Sequence, residues 1–358
     1  MRLDYRDHRQ DPAAWAKELG ISKEAVDLYL ASDVLDLHVD SYIWTRVWGY
    51  DLTERHDDGL LRASFYSQVD FPRILEAGVT GATWVITTNP FKVRSERARS
   101  FRDNLEELQE IFAKVPEQFA VVKNVAEYRA ARAAGRHGAF IGIQGGNAVD
   151  ESPETARRLL DDRILRVTLV HLTRSNLGQT SSPLGGREDR GLTRAGLEMI
   201  EVLNEKKIFV DLAHVSKKGF WDAVERSDRT QPLLVTHTGV SGVHEHWRNL
   251  DDDQLRAIAK SGGTVGVMYE PTFLGDPKWS GKLETVLDHL AHIVDTVGED
   301  HASLGSDWDG AIVTPRDMPT CLELPKLADA MLRRGWSDGR VKKVLGGNFL
   351  RVVESLRG

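Results

Sequence analysis

A histidine and an aspartate two positions apart end an apolar stretch near the start of the chain. His38 lies near the end of the run 34–39, whose composition predicts a β-strand, and Asp40 follows that run directly. Because residues i and i+2 of a strand point to the same face, both side chains would aim at one space beyond the strand. An imidazole beside a carboxylate is a ligand pair for a divalent metal such as zinc. His-x-Asp also occurs by chance on surface loops, so further partners are needed to identify a site.

Three later strand-like runs end in residues of the same types. The runs 207–213, 232–236 and 302–306 are followed by His214, His237 and Asp307. Taken singly, a histidine at a strand end is most often a hydrogen-bonded structural residue, and an aspartate before a loop is usually a helix cap. The recurrence of these residue types at four strand ends favours a shared metal site.

The strand-like runs alternate with helical patterns along the chain. Helical signals include Ser152 as an N-cap, the acids 251–253 before a run closed by Gly262, and 3.6-residue periodicity over 105–112 and 197–202. This alternation predicts an α/β fold, a (β/α)8 TIM barrel, whose strand ends converge where such enzymes carry out their chemistry. A doubly wound sheet is the main alternative, and the count of eight strands favours the barrel. The eight runs are 33–38, 79–86, 139–144, 164–170, 207–213, 232–236, 263–269 and 302–306.

The barrel is expected to occupy most of the chain. Residues 1–30 are predicted to form a helical N-terminal extension, and residues 31–358 a single (β/α)8 domain. The segment 174–190, rich in Gly, Ser, Thr and Arg, is predicted to be a long loop over the mouth of the barrel.

Composition limits the classes of function. A hydrophobic content of 41% and a charged content of 28% over 358 residues are typical of a soluble globular protein. The net charge of −7 argues against nucleic acid as a main partner. The N-terminus is polar and the chain has no long apolar run, so we expect no signal peptide and no membrane span. The single cysteine, Cys321, excludes an intramolecular disulfide and is compatible with the cytoplasm, the expected location.

Six local motifs together carry a resemblance to a known family. They are Asp-Leu-His-Val-Asp at 36–40, Gln-Val-Asp-Phe-Pro-Arg at 68–73, the segments 209–216 and 237–249, Gly-Ser-Asp-Trp-Asp-Gly at 305–310 and Gly-Gly-Asn-Phe-Leu-Arg-Val at 346–352. From about residue 33 to the end, the sequence resembles the membrane dipeptidase (renal dipeptidase) family of zinc peptidases, within the amidohydrolase-like superfamily. The resemblance implies a (β/α)8 barrel with two bridged zinc ions that hydrolyses dipeptides, often with tolerance for a D-residue at the C-terminal position. It is also compatible with a homodimer.

The resemblance implies metal ligands among the strand-end residues. His38 and Asp40 would bind one ion, and His214 and His237 would bind the other. Asp307 would approach the first ion and the bridging water, and would transfer a proton.

The resemblance also implies substrate contacts. His171 matches a histidine that polarises the scissile carbonyl. Arg248 matches an arginine that holds the substrate's C-terminal carboxylate, a contact suited to a guanidinium; without the resemblance it would be interpreted as a surface arginine. Asn147, where histidine or aspartate is common, and Phe273, where a tyrosine is expected, suggest a pocket not tuned to ordinary dipeptides.

Gln144 departs from the family pattern. Here the family has Glu-Gly-Gly, whose glutamate bridges both ions, whereas this chain reads Gln144-Gly145-Gly146. A neutral amide cannot bridge two cations as a carboxylate does. With Gln144 present, about one positive charge of two Zn²⁺ ions would be left uncompensated in a low-dielectric site. We therefore expect one firmly bound zinc ion rather than two.

Three hypotheses for function follow. The favoured one is a metal-dependent hydrolase of dipeptides or dipeptide-like molecules with a C–N bond. The second is a specialised enzyme, for example of secondary metabolism, that uses the same fold with reduced or no metal dependence. The third is a non-catalytic homologue, against which the retention of nearly every site residue argues.

Overall fold

Parallel strands form one nine-stranded sheet in the computed structural model, which describes residues 1–59, 61–89, 93–173, 175–186 and 188–358. Eight of the strands follow one another in the order β1-β2-β4-β5-β6-β7-β8-β9 and curve into a nearly closed barrel. The barrel closes where the Asp40 amide donates to the Trp308 carbonyl over 2.8 Å and the Asp307 amide donates to the His38 carbonyl over 3.2 Å. The predicted (β/α)8 fold is thus confirmed. The strands are β1 Leu35–Val39, β2 Gly81–Thr87, β3 Phe119–Val121, β4 His137–Gln144, β5 Ile164–Thr168, β6 Phe209–Asp211, β7 Leu234–Thr238, β8 Thr264–Val267 and β9 Ala302–Leu304.

Strand β3 was not predicted from the sequence. Its three residues pair with the start of β4, outside the sequence of barrel strands, with Phe119 opposite His137. Strands β6 and β9 are equally short but lie within the longer strand-like runs 207–213 and 302–306, whereas the apolar run at β3 covers only residues 119–122 and shows no clear period.

Helices connect the strands and cover the barrel. The predicted caps are present: the Ser152 hydroxyl accepts from the Thr155 amide, and Asp251 forms a capping box with Gln254. The α-helices are α1 Pro12–Leu19, α2 Lys23–Leu30, α3 Tyr42–Trp48, α4 Phe71–Glu76, α5 Arg94–Ala113, α6 Val125–Ala133, α7 Pro153–Leu159, α8 Arg194–Glu205, α9 Lys217–Arg226, α10 Asp252–Lys260, α11 Pro271–Leu274, α12 Leu283–Val297, α13 Pro325–Arg333, α14 Asp338–Lys342 and α15 Asn348–Arg357. None of the described helices combines the length and apolar character needed to cross a membrane.

The N-terminal helices lie against the barrel domain. Helix α2 packs on α13, and both the Ser22 amide and its hydroxyl donate to the Asp329 carboxylate, over 2.9 and 2.8 Å. The division of the chain at residue 30 stays a prediction.

The eight barrel strands are buried along their whole length, as expected for a parallel sheet covered on both faces. Polar side chains on these strands therefore cannot reach bulk water. They must find partners among themselves, or with a ligand, because an unpaired buried polar group is costly. This requirement determines the chemistry at the mouth of the barrel.

Candidate metal centre and active site

Four of the predicted site residues meet at the carboxyl ends of β1, β6, β7 and β9. The Nε2 atom of His38 lies 3.5 Å from Oδ1 of Asp307, and the Nε2 atoms of His214 and His237 lie 2.8 Å apart. The rings of His38 and His237 approach to 3.8 Å between centroids. All four residues are buried. The convergence predicted from their strand-end positions is present.

Two of these residues have unusual backbone conformations. His214 has a φ of 65° and Asp307 a φ of 62°, in the left-handed region that non-glycine residues rarely adopt. Gly310 accommodates the turn at Asp307, because a Cβ at position 310 would lie 2.3 Å from Oδ1 of Asp307. Such strain is found where a site requires a particular side-chain direction.

The residues fit a divalent metal ion. Ligand atoms of His38, His237 and Asp307 all lie within 4.8 Å of one another, a three-residue cluster formed entirely from described, buried residues. Nε2 of His38 and Nδ1 of His214 are buried and have no hydrogen-bond partner among the described residues. Burial and the nearby arginines lower the pKa of His38 and His214, which keeps both imidazoles neutral, the form that can bind a metal. Two nitrogens and a carboxylate suit an ion such as zinc.

Asp40 lies beside this cluster but is engaged elsewhere. Nε2 of Gln144 donates to Oδ2 of Asp40 over 3.2 Å, and the Thr87 hydroxyl donates to Oδ1. Oε1 of Gln144 is buried, and no residue in the described part of the chain gives it a hydrogen bond. Both oxygens of Asp40 thus accept hydrogen bonds from protein groups, and metal binding by Asp40 or Gln144 stays a prediction.

His171 and Arg248 border the cluster. The His171 ring stands edge-on to that of His214, at 4.7 Å between centroids and 89° between planes. The Arg248 guanidinium is buried and donates to the His237 carbonyl, and within the described ranges of the chain its Nε has no partner. Burial lowers the pKa of Arg248 to about 10, so it remains a cation at neutral pH. A buried cation with donors to spare is a ready partner for an anionic group.

The two remaining predicted substrate contacts lie in adjoining loops. Asn147 is buried in the short helix Gly146–Ala148 that follows Gln144. Phe273 lies in α11 and stacks on His246, two residues before Arg248, at 4.7 Å between ring centroids. Contact of either residue with substrate stays a prediction.

The loop predicted over the mouth packs against His214. The Ser181 amide and the Thr180 hydroxyl donate to the His214 carbonyl over 2.7 and 3.0 Å. Arg174 and Arg187, also part of the predicted 174–190 loop, lie outside the described residues.

Sequence reasoning missed a buried ion pair below the cluster. Arg166 of β5 and Asp211 of β6 have no exposed side-chain surface, and Nη1 lies 3.1 Å from Oδ2. Nη2 of Arg166 also lies 2.8 Å from Nδ1 of His38. The available signal was a charged residue inside each of the apolar runs 164–170 and 207–213.

Comparisons with known proteins agree with this geometry. Over 343 residues the chain is 27% identical to the dipeptidase verJ of Clonostachys rogersoniana, covering 92% of this chain and 86% of the relative. A solved metallopeptidase of Rhodobacter sphaeroides, liganded with a phosphinate mimic of the dipeptide L-Ala-D-Ala, is 25% identical with a TM-score of 0.78 and covers 91% of this chain and 99% of that chain. The solved dipeptidase AC, a metallopeptidase of family M19, is 28% identical with a TM-score of 0.79, covering 91% and 98% of the two chains.

A family model covers nearly the whole sequence. The model described as membrane dipeptidase, peptidase family M19, matches residues 22–357. It includes every strand of the barrel and every residue of the cluster. The protein therefore has the fold of a dipeptidase-type hydrolase and belongs to the membrane dipeptidase family.

Proposed function

We propose that this protein is a metal-dependent hydrolase that cleaves dipeptides or dipeptide-like small molecules at a C–N bond. The observation that carries the proposal is the buried cluster of His38, His237 and Asp307 beside the cationic Arg248. The likeness to a metallopeptidase liganded with a dipeptide mimic supports a substrate of that size and chemistry.

A divalent ion, zinc by the implication of the family, would be held by His38, His237 and Asp307, with His214 adjacent. When bound, such an ion polarises a carbonyl and lowers the pKa of water toward neutrality. We propose one firmly bound ion rather than two. Gln144 supplies no negative charge at the position of the family's bridging glutamate, and its N–H donates to the carboxylate of Asp40.

The chain's own side chains would orient the substrate and move protons. The Arg248 guanidinium would bind the substrate's terminal carboxylate through paired hydrogen bonds. Burial and the neighbouring Arg248 lower the pKa of His171 to about 3, so its ring would be a neutral donor toward the developing oxyanion. Asp307 would accept the proton of the attacking water and return it to the leaving amine.

The hydrogen bond between Gln144 and Asp40 gives the second hypothesis specific support. A site in which both oxygens of Asp40 accept hydrogen bonds from protein groups would suit a specialised reaction with reduced metal dependence. The non-catalytic alternative has no comparable support, because the strained His214 and Asp307 are costly to maintain in a site without function.

The test is metal content combined with turnover of a dipeptide panel that includes L-Ala-L-Ala and L-Ala-D-Ala. We expect bound zinc by elemental analysis, hydrolysis that is lost on chelation, and recovery when zinc is restored. Hydrolysis that persists in metal-free protein would favour the second hypothesis. Neither metal nor hydrolysis across the panel would contradict the proposed function.

A further inference from the structure

Arg166 contacts His38 on the edge of the ring opposite to the metal cluster. Its Nη2 lies 2.8 Å from Nδ1 of His38, while Nε2 of the same ring lies 3.5 Å from Asp307. A guanidinium is only a donor, so Nδ1 must be the acceptor of this hydrogen bond. A neutral imidazole carries one proton, and that proton must then be on Nε2.

The direction of this hydrogen bond is the reverse of the usual one for a metal-binding histidine. A metal-binding histidine ordinarily donates its other ring N–H to a carboxylate, a carbonyl or water, which leaves the metal-facing nitrogen unprotonated. Here the partner of Nδ1 is itself a donor. The nitrogen that faces the cluster is therefore an N–H in the metal-free protein, although His38 is in position to be a ligand.

The guanidinium is held firmly in this position. Its side chain is fully buried, and Nη1 donates to the Thr168 hydroxyl over 2.6 Å and lies 3.1 Å from Asp211. Gly142 provides the space, because a Cβ there would lie 2.9 Å from Nε of Arg166. The contact with His38 is thus supported by residues of β4, β5 and β6.

We propose that Arg166 is a positioning residue that holds the proton of His38 on Nε2 and thereby weakens the affinity of the cluster for a divalent ion. For His38 to bind an ion through Nε2, that proton must move to Nδ1, and the guanidinium must turn away from the ring. Binding therefore breaks one charged hydrogen bond that the metal-free protein makes. The inference rests on the proposed function only in taking His38, His237 and Asp307 as the metal site.

The first test determines the tautomer directly. In metal-free protein labelled with ¹⁵N-histidine, long-range ¹H–¹⁵N correlation spectra distinguish the two ring nitrogens, and His38→Gln assigns the signals. We expect His38 to carry its proton on Nε2. A proton on Nδ1 would overturn the proposal.

The second test measures the affinity for Co²⁺ by titration of its absorption bands. Arg166→Met should bind Co²⁺ about 10-fold more tightly or better, the usual scale for a partner of a metal ligand. The matched control is Arg46→Met, which removes a half-buried guanidinium near Asp40 that donates to the Thr87 carbonyl and not to His38. An equal gain in Arg46→Met, or none in Arg166→Met, would contradict the proposal.

A further variant covers the case in which Arg166→Met does not fold. Arg166→Met/Asp211→Asn removes both members of the buried ion pair, and the same gain in Co²⁺ affinity is expected. These measurements need no substrate. If the tautomer and the affinities are as expected but no dipeptide is cleaved, the proposed function fails and this inference stands.

Discussion

The side-chain amide of Gln144 donates to Oδ2 of Asp40 over 3.2 Å, so an N–H occupies a carboxylate oxygen at the mouth of the barrel. The Thr87 hydroxyl occupies the other oxygen. A glutamate at position 144 would have no proton to offer and would bring a second negative charge beside Asp40. The identity of the side chain at position 144 therefore decides whether Oδ2 of Asp40 accepts a hydrogen bond or is free to bind a cation.

Gln144→Glu should raise the metal content of the protein from about one ion to two. Without metal, the two buried carboxylates would repel each other, so the variant should unfold at a lower temperature than the wild type after chelation and regain stability with zinc. Elemental analysis and thermal unfolding with and without zinc measure both effects. Gln144→Met, which loses the N–H but adds no charge, is the control, and it should not gain the second ion. A metal content unchanged in Gln144→Glu would refute this account.

Arg248→Met should weaken binding of dipeptides that have a free C-terminal carboxylate. A hydrogen bond to a charged group contributes about 1.5–3 kcal/mol, so KM should rise by about 10- to 100-fold. The same dipeptides with an amidated C-terminus should be cleaved equally by variant and wild type, because they offer no carboxylate. Arg256→Met, at an exposed arginine on α10, controls for loss of a positive charge. An equal loss on both kinds of substrate would assign Arg248 a structural role.

The convergence of the four candidate ligands could be predicted because they lie at strand ends. His38, His214, His237 and Asp307 follow apolar runs, and a parallel barrel brings all such positions to one face. Their convergence needs the fold class alone, without details of packing.

The partners of these residues could not be predicted in the same way. Arg166 and Asp211 lie within strands, and their pairing depends on the register of β5 with β6, where Thr168 is opposite Asp211. The sequence shows only that each interrupts an apolar run. The contact of Arg166 with His38 crosses the barrel between strands far apart in sequence, and it also depends on the space left by Gly142.

His171→Ala should lower kcat by about 100- to 1000-fold with little change in KM, because a donor to a developing oxyanion acts mainly in the transition state. Steady-state kinetics on a cleaved dipeptide give both constants. Metal content should be that of the wild type, which would show that the nearby His214 and His237 are undisturbed. A rise in KM at unchanged kcat would instead place His171 in ground-state binding.

His137 lies at the start of β4, away from the carboxyl ends of the strands. It is buried, and its imidazole is held in the neutral form by partners at both ring nitrogens. Its Nδ1 lies 2.9 Å from the Val79 carbonyl, and its Nε2 accepts from the Trp84 indole N–H over 3.2 Å. Protonation of Nε2 would place its N–H opposite the N–H of Trp84, with no acceptor between them. Burial correspondingly lowers the pKa of His137 to about 4.

The protein should therefore lose stability as the pH falls from 7 toward 4. Below a pH of about 6.5, His137 of the unfolded chain binds a proton. In the folded protein the same side chain stays neutral until about pH 4. Between these two pH values, proton binding therefore favours the unfolded state. Through His137 alone, the free energy of unfolding should fall by roughly 3 kcal/mol as the pH approaches 4. His137→Gln has no group that titrates there, so its free energy of unfolding in urea should fall less steeply than that of the wild type between pH 7 and 4.5. Parallel pH dependences in the two proteins would show that His137 is protonated in the fold.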